Sequence, residues 1–183
     1  MRVGNDIVDL AASRGFHFRF PRRVLTPREY ARFVIAGFSE RVLWRFWAAK
    51  EAAFKLARQI DPAVSFLARE FEVDLKRRVV THAGKTFWLR LRETAEFVYA
   101  ECRDDALARV VSDVGHCRDD LESDSVRRLV LELAQATGLA ECGEISLRKD
   151  DAGIPFLVAA DERLPVGVSL THHGRFVAAA LAR

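Results

Sequence analysis

The feature that most constrains this chain is an uninterrupted helix-forming segment, Trp44–Lys55, with the sequence WRFWAAKEAAFK. It contains no Gly or Pro, and its residues are good helix formers or large apolar anchors. On a helix Trp47, Glu51 and Lys55 lie at i, i+4 and i+8, so they share one ridge of the surface. Lys50 and Glu51 are expected at the edge of the buried face. Two interpretations stay open at this point: an amphipathic helix with an ordinary Glu51–Lys55 ion pair, or one wall of a functional site.

The composition is that of an ordinary globular protein. The chain has 183 residues, half of them hydrophobic and 30% charged, which suits one domain or two small lobes. No apolar run reaches the roughly 20 residues needed to span a bilayer, so we expect no membrane partner. An acidic residue, Asp6, comes too early for the apolar region of a signal peptide. The three cysteines have no CxxC spacing and are typical of thiols in a reducing compartment. We therefore expect a cytoplasmic protein.

Basic residues cluster near the amino terminus. No acid interrupts the run Arg14, Arg19, Arg22, Arg23 and Arg28. Such a cluster predicts an anionic partner, although a solvated basic face is an equally simple interpretation. Phenylalanines alternate with these arginines, a pattern also found in single-stranded nucleic-acid binders. We interpret them instead as core and docking residues, and expect no nucleic-acid partner.

Local patterns in the first half predict one strand, two helices and a meander. Residues 3–10 alternate as a strand does, and Thr26, Pro27 and Glu29 form a capping box with Pro at the first helical position. A longer helix is expected from Ser39 to the Asp61-Pro62 step. β-branched and aromatic residues then predict an antiparallel meander. Its strands are expected at residues 71–75, 79–81, 86–91 and 97–102.

The second half is predicted to be helix followed by strands. A weak helix is expected over residues 104–114 and a linker over residues 115–122, which divides the single domain 1–183 into lobes 1–115 and 116–183. A clear amphipathic helix should start at Ser123 or Asp124 and end before Gly138. A hairpin around residues 149–153 and two last strands broken at residues 172–174 follow. This mixture predicts an α+β fold, with an antiparallel sheet packed on a long helix.

Four residues stand out as carriers of chemistry. Asp6 and Glu51 come from separate elements, as carboxylates that bind Mg²⁺ commonly do, and one or two such ligands suffice when substrate phosphates complete the shell. Lys55 lies one turn beyond Glu51 and offers a compact positive charge to an anion. His172 falls in the expected break between strands, where a side chain can face a ligand.

Several blocks of the chain resemble one family. Gly4-x-Asp6, followed by FWAAKEAAFK at residues 46–55, is similar to the G-x-D and (F/W)-x-x-K-E-A-x-x-K signature of the 4′-phosphopantetheinyl transferases. The R-x-L-T-x-x-E stretch at residues 23–29 resembles the holo-acyl-carrier-protein synthases. So do R-K-D-D-A-G-x-P at residues 148–155 and V-S-L-T-H at residues 168–172. These blocks occur in family order along the chain.

The resemblance implies an activity and site residues. Members transfer the 4′-phosphopantetheine group of coenzyme A to a serine of an apo acyl or peptidyl carrier protein and release 3′,5′-ADP, with Mg²⁺ or alternatively Mn²⁺. It assigns Asp6 and Glu51 to the metal, Glu51 and Lys55 to catalysis, and Lys50, Lys55 and His172 to coenzyme A and its phosphates. Acidic carrier proteins would dock on the basic cluster, at Arg14, Arg19, Arg22 and Arg23.

The chain also departs from the family pattern. Val8 stands where surfactin-synthetase-type members carry a second acid, which favours a site in which water completes the metal shell, as in the holo-acyl-carrier-protein synthases, with Asp9 as a candidate outer ligand. The region from about residue 76 to 144 is longer than in the compact synthases, and suggests two related lobes that build the site in one chain. A metal-dependent phosphohydrolase and a non-catalytic basic binding module remain alternatives. The sequence leaves open the carrier, its pathway (fatty acid, polyketide or nonribosomal peptide), the oligomeric state, the metal and the general base.

Overall fold

The computed structural model describes residues 1–117, 122–139 and 144–183. The described residues form four α-helices and eleven strands. The helices are α1 (Phe20–Val24), α2 (Pro27–Ile35), α3 (Glu40–Ile60) and α4 (Glu122–Ala136). The strands are β1 (Val3–Asp9), β2 (Glu72–Asp74), β3 (Val79–His82), β4 (Lys85–Glu93), β5 (Phe97–Arg103), β6 (Val110–His116), β7 (Ile145–Lys149), β8 (Pro155–Ala159), β9 (Glu162–Arg163), β10 (Gly167–His173) and β11 (Phe176–Ala182).

The strands pair into three antiparallel sheets. The first has the order β1-β5-β4-β3-β2, so the predicted meander β2–β5 is closed at one edge by the amino-terminal strand. The second has the order β10-β11-β6 and the third β7-β8-β9. The predicted α+β class with antiparallel sheets is confirmed. Among the described helices, none combines the length and apolar character that a membrane span requires.

Helix α3 lies directly against β1. The helix presents four fully buried alanines, Ala48, Ala49, Ala52 and Ala53, so the two backbones can approach closely. At the closest point a Cβ on Gly4 would lie 2.0 Å from the carbonyl oxygen of Ala52. The glycine of the G-x-D stretch is therefore required by steric contact with the helix backbone.

We expect Gly4→Ala to destabilise the fold by about 1–3 kcal/mol, because the clash is with backbone that a rotamer change cannot relieve. Urea unfolding followed by circular dichroism measures this change. Gly115→Ala is the matched control, since Gly115 also lies in a strand and its added Cβ would make only ordinary contacts, with Val177 Cγ2 at 3.5 Å and Leu129 Cδ2 at 3.9 Å. Equal midpoints for the two variants would contradict the close packing of α3 on β1.

β1 is buried on both sides. Gly4 and Val8 face α3, whereas Ile7 packs on Phe176 and Ala178 of the second sheet. All seven residues of β1 are buried, including the polar residues Asn5, Asp6 and Asp9. β1 is thus the strand on which the two halves of the protein meet.

The seam between β1 and β10 is held by side chains, since the two strands belong to different sheets. Gln59 Nε2 donates to the carbonyl oxygens of Val3, at 2.6 Å, and Val168, at 3.1 Å. The backbone N–H of Asn5 donates to Ser169 Oγ at 2.9 Å. Because Gln59 and Lys55 lie one turn apart on α3, a single face of this helix contacts both strands.

Two regions differ from the sequence predictions. The weak helix expected over residues 104–114 is wrong: Val110–His116 is strand β6, antiparallel to β11. Its three valines favour a strand once β11 offers a pairing edge, an interaction that a local helical pattern does not report. The expected linker starting at residue 115 begins inside this strand, and residues 118–121 lie outside the described residues.

The other boundaries agree with their local signals. Thr26 Oγ1 accepts from the Glu29 N–H and Glu29 accepts from the Thr26 N–H, so the predicted capping box is confirmed. Ser39 precedes α3 but its side chain makes no capping bond. Helix α4 begins at Glu122, just before the predicted cap, and Gly138 follows it with φ +77°. His172 is not in a break, because β10 continues to His173 and the turn is at Gly174.

Candidate active site

A cleft of about 600 Å³ opens where α3, β1 and β10 meet. Three aromatic side chains line it: Phe20, Trp44 and Trp47. Polar side chains from both halves of the chain also line it: Asp6, Glu51, Lys55, Thr171, His172 and His173. The structure therefore brings all four residues expected to act into one cleft, although His172 comes from the far end of the sequence.

Asp6 is fixed by one of its two carboxylate oxygens. Oδ1 accepts from Lys55 Nζ at 3.1 Å and from Thr171 Oγ1 at 3.0 Å. Within residues 1–117, 122–139 and 144–183, no group is bonded to Oδ2. The side chain is nearly buried, yet it lines the cleft, so a carboxylate oxygen remains available to a ligand. Thr171 was not singled out from the sequence, although it sits in the same block as His172.

Glu51 lies on the wall of the cleft without an ion pair to any described residue. The ordinary Glu51–Lys55 pair is not formed, since Lys55 turns to Asp6 instead. Burial, and then the negative charge of Asp6, raises the pKa of Glu51 to about 7, while Lys55 acts in the opposite direction. The two carboxylates therefore repel each other, and one nearby lysine offsets only part of that repulsion.

This donor set fits a hard divalent cation. Asp6 and Glu51 offer oxygen ligands from two rigid elements, and a second positive charge between them would relieve their repulsion. Among the described residues, no group of three or more His, Cys, Asp or Glu side chains could hold a metal by itself. A cation here would need oxygen ligands from solvent or from a bound substrate, which is the usual arrangement for Mg²⁺.

Lys55 joins the two halves of the site. Its ammonium donates to the carbonyl oxygen of Asn5 at 2.9 Å, to Asp6 at 3.1 Å and, more weakly, to the carbonyl oxygen of Leu170 at 3.5 Å. The side chain is partly exposed to the cleft. Since the bond to Leu170 is long, an anion in the cleft can replace it without disturbing the other two contacts.

His172 faces the cleft from β10 and is paired with a residue that sequence reasoning missed. Its Nδ1 lies 2.8 Å from Glu122 Oε2, at the first residue of α4. In the sequence Glu122 looks like an ordinary acid in the first turn of a helix. No local signal connects it to a strand 50 residues away, so only the tertiary structure could have identified it.

Lys50 requires a correction. It was expected to bind coenzyme A or phosphate, but its side chain is fully buried and, unlike that of Glu51, does not line the cleft. Its ammonium pairs with Glu29 at 2.8 Å and donates to the carbonyl oxygens of Ala68 and Phe71. Burial lowers the pKa of Lys50, and the Glu29 carboxylate opposes that shift. Lys50 therefore joins α3 to α2 and to the turn that precedes β2.

Asp9 is likewise not free to act as an outer ligand. Its carboxylate accepts from Arg175 Nε at 2.9 Å and from Arg175 Nη2 at 2.9 Å, and it also accepts from the Ala11 N–H. These bonds, led by the Arg175 side chain, hold the pKa of Asp9 well below its usual range. Asp9 is a structural anchor for the turn that follows β10.

The basic cluster forms a separate groove of about 850 Å³ lined by Phe18, Arg19, Arg22, Arg23 and Tyr30. Arg19 lies over the Phe18 ring and Arg22 over the Tyr30 ring, at 5.2 and 5.7 Å from the ring centres. Within the described parts of the chain, none of these three arginines forms an ion pair. Arg14 is exposed but does not line the groove, and Arg28 differs because it pairs with Glu72 and Asp74.

A smaller cleft of about 250 Å³ adjoins the first and shares Lys55 and Leu170 with it. Two further basic side chains, Arg58 and Lys149, line it beside the predicted hairpin turn. Lys55 therefore lies between the two carboxylates and the basic side chains beside the β7–β8 hairpin.

Comparison with known proteins gives one family. The model of the 4′-phosphopantetheinyl transferase superfamily matches residues 2–110, more than half of the chain. No curated protein and no solved structure matches it. The matched region contains β1, the basic cluster, α3 and the first sheet, and so includes Asp6, Glu51 and Lys55. Glu122 and His172 lie beyond it.

Proposed function

Because the chain belongs to the 4′-phosphopantetheinyl transferase superfamily, we propose that it moves phosphopantetheine from coenzyme A to a serine of an acidic acyl or peptidyl carrier protein. The reaction releases 3′,5′-ADP and uses Mg²⁺ or Mn²⁺. The family as a whole carries out phosphopantetheinyl transfer. What we propose beyond this is the specific activity of a holo-acyl-carrier-protein synthase.

One observation carries the proposal. Asp6, from a strand, and Glu51 and Lys55, from a helix, converge on one cleft although 45 residues or more separate Asp6 from the other two. A carboxylate pair can hold a divalent cation against a pyrophosphate, and a lysine beside it adds positive charge at the same place. The adjoining cleft, with Arg58 and Lys149, supports binding of the remaining phosphate of coenzyme A.

In the proposed reaction the serine Oγ attacks the phosphorus that carries the pantetheine arm. A new P–O bond to serine forms, the bond to the other phosphate breaks, and its electron pair leaves with 3′,5′-ADP. A cation held by Asp6 and Glu51 would supply positive charge to the phosphate oxygens. Lys55 adds charge at the same oxygens, where negative charge accumulates in the transition state.

The serine proton needs an acceptor, and we propose Glu51, directly or through water. Its carboxylate lines the cleft and has no ion-pair partner among the described residues, so it can accept a proton from a group bound there. Because the proposed metal contact uses the same carboxylate, one of its two oxygens would bind the cation and the other would accept the proton. The aromatic side chains of Trp44 and Trp47, which line the cleft beside Glu51, limit the access of water to it.

We further propose that the site is assembled within one chain of two lobes. Glu51 and Lys55 lie in residues 1–115, whereas Thr171 and His172 lie in residues 116–183. A second copy is then not needed to complete the cleft. Activity that elutes only with an obligate oligomer in gel filtration would contradict this arrangement.

The assay combines the protein with coenzyme A, Mg²⁺ and an apo carrier protein, followed by intact-mass spectrometry. A carrier that gains one phosphopantetheine, together with released 3′,5′-ADP, supports the transferase. Loss of coenzyme A without an adduct would identify a phosphohydrolase. Binding of coenzyme A without turnover would identify a non-catalytic module. Either of these last two results overturns the proposal.

We expect reversal of charge at the basic groove to impair docking of the carrier. Arg22→Glu/Arg23→Glu removes two unpaired positive charges beside Tyr30, so the carrier KM should rise about tenfold or more and its salt dependence should weaken. The affinity for coenzyme A should change little. Arg127→Glu/Arg128→Glu, an adjacent exposed pair on α4, makes the same charge change away from the groove. Equal carrier KM values for the two double variants would contradict docking at this groove.

A further inference from the structure

Glu122 and His172 form a hydrogen-bonded pair across the second half of the protein. Glu122 is the first residue of α4 and His172 is near the end of β10, and their closest atoms, Oε2 and Nδ1, lie 2.8 Å apart. Both side chains are 45% exposed, so the pair sits at the mouth of the cleft and is not part of the core. The family match does not reach either residue.

The pair determines which nitrogen of the ring carries a proton. An ionised carboxylate can only accept, so Nδ1 of His172 must donate to Glu122. The other ring nitrogen, Nε2, is on the opposite side of the imidazole. Within residues 1–117, 122–139 and 144–183 it has no bonded partner, and His172 lines the cleft. Glu122 thus occupies one nitrogen and leaves the other available to a ligand.

The neighbours of His172 cannot provide this orientation. Thr171 uses its hydroxyl on Asp6, and His173 uses Nδ1 to accept the N–H of Asp9. These contacts fix the backbone of β10 but leave the His172 ring free to rotate about its side-chain bonds. Only the contact with Glu122 restrains that rotation among the described interactions.

The helix that begins at Glu122 is anchored in the core. Helix α4 buries Val126, Leu129 and Val130 in the cluster that includes Val177 and Leu181 of β11, and β11 pairs with β10 along its whole length. The carboxylate is therefore carried by a helix that packs on the same sheet to which the strand of the His172 ring belongs. The distance between them depends on this packing and not on a flexible loop.

We propose that Glu122 is a positioning residue for coenzyme A binding: it holds the His172 ring with Nδ1–H toward α4 and Nε2 toward an anionic group of the ligand. When Nε2 is protonated and donates to a phosphate, the Glu122 carboxylate balances the charge of the ring. Carboxylates that orient histidine ligands at metal sites act in the same way. This role rests on the proposed function, since the anion is a phosphate of coenzyme A.

The first test measures binding of coenzyme A to the full chain by calorimetry. Glu122→Gln keeps the shape of the side chain but loses its charge, and should weaken binding about fivefold to twentyfold. Asp124→Asn, an exposed acid in the same helical turn, should leave the affinity unchanged. In a His172→Ala background Glu122→Gln should have no further effect, because Glu122 acts through the ring.

The second test reads the ring directly, without turnover. Long-range ¹H–¹⁵N spectra should show the Nδ1-protonated form of His172 in the free protein and lose that preference in Glu122→Gln. Unchanged or tighter binding of coenzyme A by Glu122→Gln would overturn the proposal. An unchanged preference for the Nδ1-protonated form of His172 in Glu122→Gln would also overturn it. So would an additive loss of coenzyme A affinity when Glu122→Gln is combined with His172→Ala. Failure of the wild-type protein to bind coenzyme A, with the ring as expected, would instead contradict the proposed function.

Discussion

Glu51→Gln is expected to slow phosphopantetheine transfer at least about a hundredfold. The variant loses one of the two carboxylates proposed to hold the cation, and it also loses the proposed acceptor of the serine proton, each of which contributes a factor of this order or larger. The fold should be retained, because Glu51 forms no ion pair with a described residue that the amide would break. Initial rates from intact-mass spectrometry at saturating carrier measure the loss.

The same variant should be more stable than the wild-type protein at pH 8 in the presence of EDTA. Burial raises the pKa of Glu51 from 4.5 to about 7, so between these values the folded protein keeps a proton that the unfolded chain releases. The free energy of unfolding of the wild type therefore falls as the pH rises through this window, and stays low above it. Glutamine does not ionise, and the gain at pH 8 should be about 1–3 kcal/mol.

Urea unfolding at pH 5 and pH 8 separates this effect from a general change in packing, because the difference between variant and wild type should grow with pH. Glu40→Gln removes an exposed carboxylate from the same helix and serves as the control for both measurements. If Glu51→Gln loses activity but its free energy of unfolding depends on pH as that of the wild type does, the buried environment assigned to Glu51 is contradicted. A variant with wild-type activity would contradict its part in transfer.

Where the sequence predicted structure correctly, the signals were local. Thr26 and Glu29 are three residues apart and form their capping box without help from the rest of the chain. The meander joins neighbours in sequence through short turns, including Ala83-Gly84, where both residues have positive φ. Helix α3 ends where Asp61 precedes a proline, as the steric rule requires.

The errors arose where a distant partner decides the outcome. Residues 110–116 are a strand because β11, 60 residues later, offers a pairing edge. Lys50 resembles a ligand contact in the linear pattern, but the capping residue Glu29 reaches across from α2 and buries it. Glu122 carried no signal, since its partner lies in another element. Sequence spacing can place Lys50 and Glu51 next to each other, yet it does not tell which of the two faces the cleft.

The candidate site could be predicted only in part for the same reason. The resemblance named Asp6, Glu51, Lys55 and His172, but it did not predict the contacts that bring the two strands of the site together. Gln59 and Lys55 contact the carbonyl oxygens of both β1 and β10, so the cleft is built on a seam without a backbone ladder. A seam held by a few side chains can adjust when a ligand enters more easily than a continuous sheet can.

Lys50→Met should destabilise the protein by about 3–5 kcal/mol, since it leaves the Glu29 carboxylate, 1% exposed, without its cation. The carbonyl oxygens of Ala68 and Phe71 lose a donor as well. Methionine fills a similar volume, so the loss reports on charge and hydrogen bonds more than on a cavity. Urea unfolding at pH 7 gives the change in free energy.

The KM for coenzyme A distinguishes a structural role of Lys50 from a role in binding coenzyme A. In the folded fraction of Lys50→Met, at low temperature, this KM should stay within about twofold of the wild-type value, because the ammonium does not line the cleft. Adding Glu29→Gln should restore part of the stability, since the amide is neutral and its oxygen can still accept one of the N–H groups, Thr26 or Val73, that bond to Glu29. A large rise in KM with unchanged stability would instead return Lys50 to the phosphate-binding role suggested by its place in the sequence pattern.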